Sequence, residues 1–393
     1  MTASRMRSRL GRSLFLLLAL LASGCAVPVA PDLVITNARV FTNDTARPWA
    51  EAVAIKGERV VAVGDTAALR ARAGPSTRVI DAGGHVLVPG FNDARVDLPL
   101  GEVPTPAAMS ALDRAAIAHG VTSLQVVAGG PMRVLVEAAR EAARQARWRV
   151  IRSPMDGERP QDEEPFLPPQ PGVRLAAKGV SWVTGGVTPR HVADPSRLPT
   201  VVGWAYGAED PIVMAGTAAA WLDALSAKGL TEIWQQKRPR LDVLSPLTSA
   251  DLPRLARLGV VVTLGTCIVS SDWPPGVSAG AVVDAGIVLA VGSSHPRLGP
   301  GRLVGVMTDQ CPPDTTAGRL LTREEAVRAA TWGSAYAEKG ERDKGWLGPG
   351  TLADIAVLSD DVFTVPAERL SAITSVLTLV GGTIVYDSGV LTK

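Results

Sequence analysis

Val86-Leu87-Val88-Pro89-Gly90-Phe91-Asn92-Asp93-Ala94-Arg95-Val96-Asp97 is the stretch on which the fold turns. An apolar run ends at a Pro-Gly step, which interrupts regular structure, and the chain has a different texture on either side. Upstream, Leu33-Val34-Ile35, Val40-Phe41, Val53-Ala54-Ile55, Val60 to Val63 after the Lys56-Gly57-Glu58 turn, and Val79-Ile80-Asp81 before Gly83-Gly84 read as short strands joined by tight turns. Downstream, apolar runs alternate with helical stretches: Ala107 to Ala118 precedes Val121 to Val127, and Val134 to Arg147 precedes Trp148 to Ile151. That alternation predicts parallel βα units.

Further strands are expected at 173–176, 200–203, 241–244, 260–264 and 287–291, with helices at Ala215 to Lys228 and Ser249 to Leu258. Arg152 to Pro171, dense in proline and acidic residues, reads as a surface excursion. Thr322-Arg323-Glu324-Glu325 is a capping box opening a helix over Ala326 to Trp332. Strands return at Ile355 to Leu358, Val376 to Val380 and Thr383 to Tyr386. The expected class is α/β. Residues 91–344 are close to the roughly 250 of a TIM-like (β/α)8 barrel. Residues 32–90 plus 345–393 should build one β-sandwich from both chain ends, because neither part has strands enough for a core of its own.

With 46% hydrophobic residues in 393, the chain can bury a substantial core. Forty Lys and Arg against 38 Asp and Glu leave a charge of +2, with no basic stripe beyond the extreme N-terminus, so no nucleic-acid partner is expected. At that terminus Arg5, Arg7, Arg9 and Arg12 precede the apolar run Leu14 to Leu21 and then Ala22-Ser23-Gly24-Cys25. This is the order of an export signal, and small residues directly before a cysteine resemble a bacterial lipobox. Residues 1–25 are expected to be the signal peptide with its lipobox cysteine, and Cys25 to carry lipid that anchors an exported protein in the bacterial cell envelope. Ala26 supplies no acidic inner-membrane retention signal, which points to the outer membrane. An ordinary secretory signal cut near Ala26, or an uncleaved anchor, stays open, as does whether Cys267 and Cys311 pair.

Three segments together resemble the amidohydrolase superfamily, in particular its branch of N-substituted formamide deformylase-like enzymes. They are Leu33 to Val40 followed by Val88-Pro89-Gly90-Phe91-Asn92-Asp93-Ala94; Gly345 to Ile355; and Val380-Gly381-Gly382-Thr383-Ile384-Val385-Tyr386. The resemblance implies hydrolysis of carbon–nitrogen bonds with one or two divalent metals, typically zinc, held at the C-terminal ends of barrel strands. The family's first strand should read Pro-Gly-Phe-x-Asp-x-His-x-His, since alternate residues face one side. Here those histidine positions hold Arg95 and Asp97. Arg174 stands where a bridging lysine would be, Asp242-Val243 where a Glu-His pair would be, and Ser294 where a metal-binding aspartate would be. Arginine stays protonated and cannot be carboxylated to bridge metals. The histidines are His85, His119, His191 and His295, with none between the last two, where two barrel ligands belong. No metal and no other cofactor is therefore expected.

The leading expectation is a non-catalytic, membrane-anchored member retaining a pocket for a small molecule or protein, with Asp93, Asp242, Asp272 and His295 as its candidate residues. Asp272 lies in Ser271-Asp272-Trp273-Pro274, which imitates the family's strand-eight motif but reads better as a loop. An active hydrolase of non-peptide carbon–nitrogen bonds, with a site rebuilt from these residues and Asp97, is the second expectation. A structural envelope protein with a filled barrel mouth is the third. Arg95 is expected either to pair with Asp97 or Asp93, so that its loss costs about 1 to 3 kcal/mol, or to reach solvent at the mouth.

Overall fold

The computed structural model describes residues 30–98, 105–129, 132–142, 144–153, 175–184, 213–216, 218–227, 229–243, 247–265, 277–293 and 319–391. Seven strands come first: β1 (Leu33–Thr36), β2 (Arg39–Phe41), β3 (Trp49–Ala50), β4 (Ala52–Lys56), β5 (Arg59–Gly64), β6 (Arg78–Asp81) and β7 (Val86–Pro89). Eight follow: β8 (Phe91–Asp97), β9 (Val121–Gly129), β10 (Arg147–Ser153), β11 (Leu175–Thr184), β12 (Val213–Gly216), β13 (Arg240–Val243), β14 (Val261–Gly265) and β15 (Leu289–Gly292). The chain closes with β16 (Ile355–Leu358), β17 (Ser375–Val380) and β18 (Thr383–Asp387).

Early and late strands share a sheet. One four-stranded sheet has the order β5-β4-β1-β6, and a six-stranded sheet has the order β18-β17-β16-β7-β2-β3. In the second, β16 runs antiparallel to β7 with Ile355 opposite Pro89 and Val357 opposite Leu87. Ile35 and Val53 of the first sheet and Leu87, Ile355 and Leu379 of the second are buried in one apolar cluster. Each sheet thus buries its apolar side against the other, as alternating strands require.

Strands β8 to β15 form an eight-stranded sheet in chain order, every hydrogen-bonded pair parallel. The helix Pro106–Ala118 shows how the intervening segments fit. Thr105 caps it, accepting from the Ala108 amide at 3.2 Å, and Pro106 occupies a first-turn position where no amide hydrogen is missed. Its buried Asp113 is satisfied by the Trp148 indole (2.8 Å) and the amides of Gln145 (2.8 Å) and Ala146 (3.1 Å). A second buried carboxylate joins the parts of the molecule: Asp354 accepts from Arg147 Nε (2.7 Å) and Nη2 (3.0 Å) and from the Gly381 amide (2.7 Å).

The helix expected over Val134 to Arg147 runs Met132–Glu141, since Arg147 opens β10, and β10 extends to Ser153, into the start of the expected surface excursion. Two more expectations need correction. The helix placed at Ala215 to Lys228 begins only at Ala218 and ends at Ser226, because Val213–Gly216 is a strand. Its backbone is hydrogen-bonded to β11 on one side and β13 on the other, and that ladder overrides the helical preference of alanine. The capping box forms as expected, but its helix runs Arg323–Arg328 and then widens into a π-helix at Ala329–Gly333. That wider turn carries Gly333 against β15, where a Cβ would lie 1.9 Å from the Leu289 carbonyl oxygen. The strands expected near 173 and 200 fall wholly or partly outside the described residues.

The first and last strands of the eight-stranded sheet lie against each other. A Cβ on Gly292 would sit 2.6 Å from the Arg95 Cβ and 2.9 Å from its amide nitrogen, so the approach of β15 to β8 needs a residue without a side chain. Gly292→Ala is expected to lower stability by about 1 to 3 kcal/mol through overpacking. Equilibrium urea unfolding would read this as a lower midpoint at unchanged slope.

Candidate functional site

On β8 alternate side chains share a face, which sends Arg95 and Asp97 to the same side. Arg95 is only 6% exposed. Its guanidinium forks onto Asp97, Nε to Oδ2 at 2.9 Å and Nη2 to Oδ1 at 2.7 Å, and its Nη1 donates to Asp242 Oδ2 on β13 at 2.6 Å. Asp242 is buried and takes a second fork from Arg240, two residues earlier on the same strand face, at 2.6 Å from Nε and 2.9 Å from Nη2. Arg240 Nη1 continues to Gln125 Oε1 on β9 (2.6 Å), and Gln125 Nε2 donates to the Ser334 carbonyl (3.1 Å). A continuous polar chain thus runs Asp97, Arg95, Asp242, Arg240, Gln125. Its two cations and two anions balance.

The electrostatics follow from burial and pairing. Burial works against the ionised Asp242, but Arg240 and Arg95 outweigh it and hold the carboxyl below its ordinary range. Burial likewise opposes the charge on Arg95, yet Asp97 and Asp242 leave its pKa raised. Asp93 behaves differently. Burial pushes it up to about 7, only partly opposed by hydrogen bonds from Ser293 and from the Arg95 amide, and the nearby Asp97 adds to the rise. Its Oδ1 accepts the Ser293 amide at 2.9 Å and the Arg95 amide at 3.2 Å, so it ties β8 to the residue after β15.

A second buried polar layer surrounds Glu338. Asn92 Nδ2 (2.6 Å) and Lys344 Nζ (2.5 Å) both reach its Oε1, Lys344 also reaches Ser123 Oγ (2.8 Å), and Arg149 donates to the Glu338 carbonyl (2.9 Å). Burial would raise Glu338, but Lys344 and Arg149 hold it low.

These residues do not suit a divalent cation. Metal binding needs free lone pairs and low local positive charge, whereas both Asp242 oxygens are held by guanidiniums and a permanent cation fills the space between Asp97 and Asp242. Among the described residues no group of three or more His, Cys, Asp or Glu side chains is placed to hold a metal.

Of the residues singled out in the sequence, Arg95, Asp97 and Asp242 come together, and Asp93 lies beside them as a strand tie rather than on an open wall. Val243 is the last residue of β13. Arg174, Asp272, Ser294 and His295 lie outside the described residues. His85 and His119 serve local carbonyls, at Leu358 (2.8 Å) and Ala115 (2.7 Å). The sequence reading missed Arg240, Gln125 and the Glu338 layer. A usable signal existed: Arg240-Leu241-Asp242 and Ser123-Leu124-Gln125 place polar groups two apart on otherwise apolar strands.

A family model described as "Amidohydrolase family" matches residues 212–386. One stretch of 121 residues is 36% identical to an imidazolonepropionase of Saccharopolyspora erythraea, covering 30% of this chain and 30% of that protein. Another of 63 residues is 43% identical to an N-substituted formamide deformylase of Arthrobacter pascens, covering 16% of this chain and 12% of that one. The matched stretches span less than a third of the length of these curated relatives. Among solved structures, an atrazine chlorohydrolase from Arthrobacter aurescens complexed with zinc superposes with a TM-score of 0.64 at 21% identity, over 90% of this chain and 95% of that one. That likeness is one of fold.

Two outcomes are expected of this site. Arg95→Ala leaves Asp97 without its fork and Asp242 with one guanidinium instead of two, so the cost should be about 3 to 5 kcal/mol. That exceeds the sequence-based figure because two carboxylates are affected. Asp97→Asn, whose side chain is 33% exposed, should cost under about 1 kcal/mol by the same urea titration. The other outcome concerns pH. Between the ordinary 3.8 and about 7, folded Asp93 holds a proton that the unfolded chain has lost. Its contribution is therefore complete below the lower value and is lost as pH rises to about 7, at roughly 1.4 kcal/mol per pH unit. Asp242 and Glu338, both held low, contribute in the opposite sense, with stability lost as pH falls through the acid range. Asp93→Asn should become more stable relative to the parent from pH 5 to pH 7, as read by unfolding free energies on a pH series.

Proposed function

Because the chain belongs to the amidohydrolase superfamily, we propose that it is a member in which buried ion pairs have taken the place of the catalytic metal, leaving a binding protein rather than a hydrolase. The observation that carries this reading is the Arg95 guanidinium held between Asp97 and Asp242. A guanidinium supplies fixed positive charge where relatives would bind a metal, but it cannot lower the pKa of water to make hydroxide near neutral pH. Substrate attack then has no generated nucleophile. The proposed architecture is a TIM-like (β/α)8 barrel over residues 91–344, beside a β-sandwich of residues 32–90 and 345–393. The parallel order of β8 to β15 and the pairing of β7 with β16 support it.

The N-terminal pattern supports export, with lipid on Cys25 anchoring the protein in the bacterial envelope, most consistently at the outer membrane. What remains for the barrel is recognition of a small molecule or a protein at its mouth, with Asp97 as the partly exposed acid at the end of β8.

The test is elemental analysis of the purified protein after incubation with zinc, together with assays on simple formamides and cyclic amides, and mass spectrometry of the mature N-terminus. The expected results are no stoichiometric zinc, no hydrolysis above buffer and a lipidated Cys25. Tightly held zinc together with turnover would establish instead an active hydrolase of non-peptide carbon–nitrogen bonds. An unmodified N-terminus beyond Cys25 would remove the anchor.

A further inference from the structure

A depression of about 230 Å³ opens at the entry to β15, and Asp97 is not among its lining residues. Val283, Ile287, Leu289 and Ala329 give it an apolar floor, and Trp332 and Arg328 form a wall. The guanidinium of Arg328 stands 4.4 Å from the Trp332 ring centroid. Among the described residues it pairs with no carboxylate, and one of its terminal nitrogens donates to the Asn43 carbonyl (3.3 Å) and side-chain oxygen (3.1 Å). Burial pulls its pKa down with no acid to offset it. Glu325, the carboxylate among the lining residues, takes a fork from Arg319 at 2.7 and 2.8 Å, and Arg319 also pairs with Asp284 at 2.8 Å.

A half-buried cation without an anion, beside an apolar floor, has the complement of an organic acid: a carboxylate for the guanidinium and a flat or short apolar body for the floor. The size of the space limits the body to about a single ring. We propose that this depression is a binding site for small monocarboxylates with an apolar body, separate from the mouth and independent of any hydrolytic or metal chemistry there.

Benzoate is the probe and benzamide its uncharged control, followed by ligand-observed NMR titration of the full chain. The expected result is saturable benzoate binding, with benzamide weaker by roughly tenfold or more. Arg328→Met should reduce benzoate to the level of benzamide while leaving benzamide unchanged. Val283→Phe, at a partly exposed position of the apolar floor, should fill the space and weaken both, and it keeps the test decisive if the Arg328 variant does not fold. Equal binding of the two probes by the parent, no binding of either, or benzoate binding unaffected in whichever variants fold would overturn the proposal. The mouth-directed assays would be unchanged by any of these results.

Discussion

Asp242 is buried away from solvent. A carboxylate buried among strands keeps its charge only if cations are brought to it, and both Arg95 and Arg240 are. Each then needs a further acceptor, which Asp97 and Gln125 provide, so one buried charge dictates side chains on three strands. Such a network adds little net stability compared with apolar residues of the same volume, because desolvation offsets most of the attraction. Its effect is geometric. Every donor is directed, so β8, β9 and β13 are held in one arrangement, and the loss of a member leaves its neighbours with fewer partners.

The same logic recurs below it. Glu338 gathers Lys344, Asn92 and Arg149 and seals a second polar layer from residues far apart in sequence. Asp354 then fixes Arg147 and the Gly381 amide across the boundary between the parallel sheet and the six-stranded one. Three buried acids, each satisfied by cations or amides, account for how the parts are held in register. The apolar clusters supply the bulk of the free energy.

Much of the fold was readable because period-2 apolar patterns and turn residues are local signals. The change of texture at Pro89-Gly90 marked where β7 ends and β8 begins, and the capping box at Thr322 fixed a helix start. The strand at Val213–Gly216 was misread because its sequence is helix-permissive and its partners are distant. Arg95 and Asp97 were readable through a motif. The alternation at Arg240-Leu241-Asp242 is a local signal for an inward Arg240, but its pairing with Gln125 depends on which strands face each other, and that is not encoded near residue 240. The π-helix at Ala329–Gly333 was invisible for the same reason: it follows from the close approach of Gly333 to Leu289.

The pairing of β7 with β16 sets a temporal order on the molecule. The six-stranded sheet draws three strands from before residue 90 and three from after residue 354, so it cannot be completed until the last segment has emerged. Contacts of such long sequence separation form slowly, because loop-closure entropy must be met before they contribute. In a chain built this way the six-stranded sheet stays incomplete through most of synthesis. That delay is an advantage for any polypeptide that must pass through a narrow channel as an extended thread before it folds.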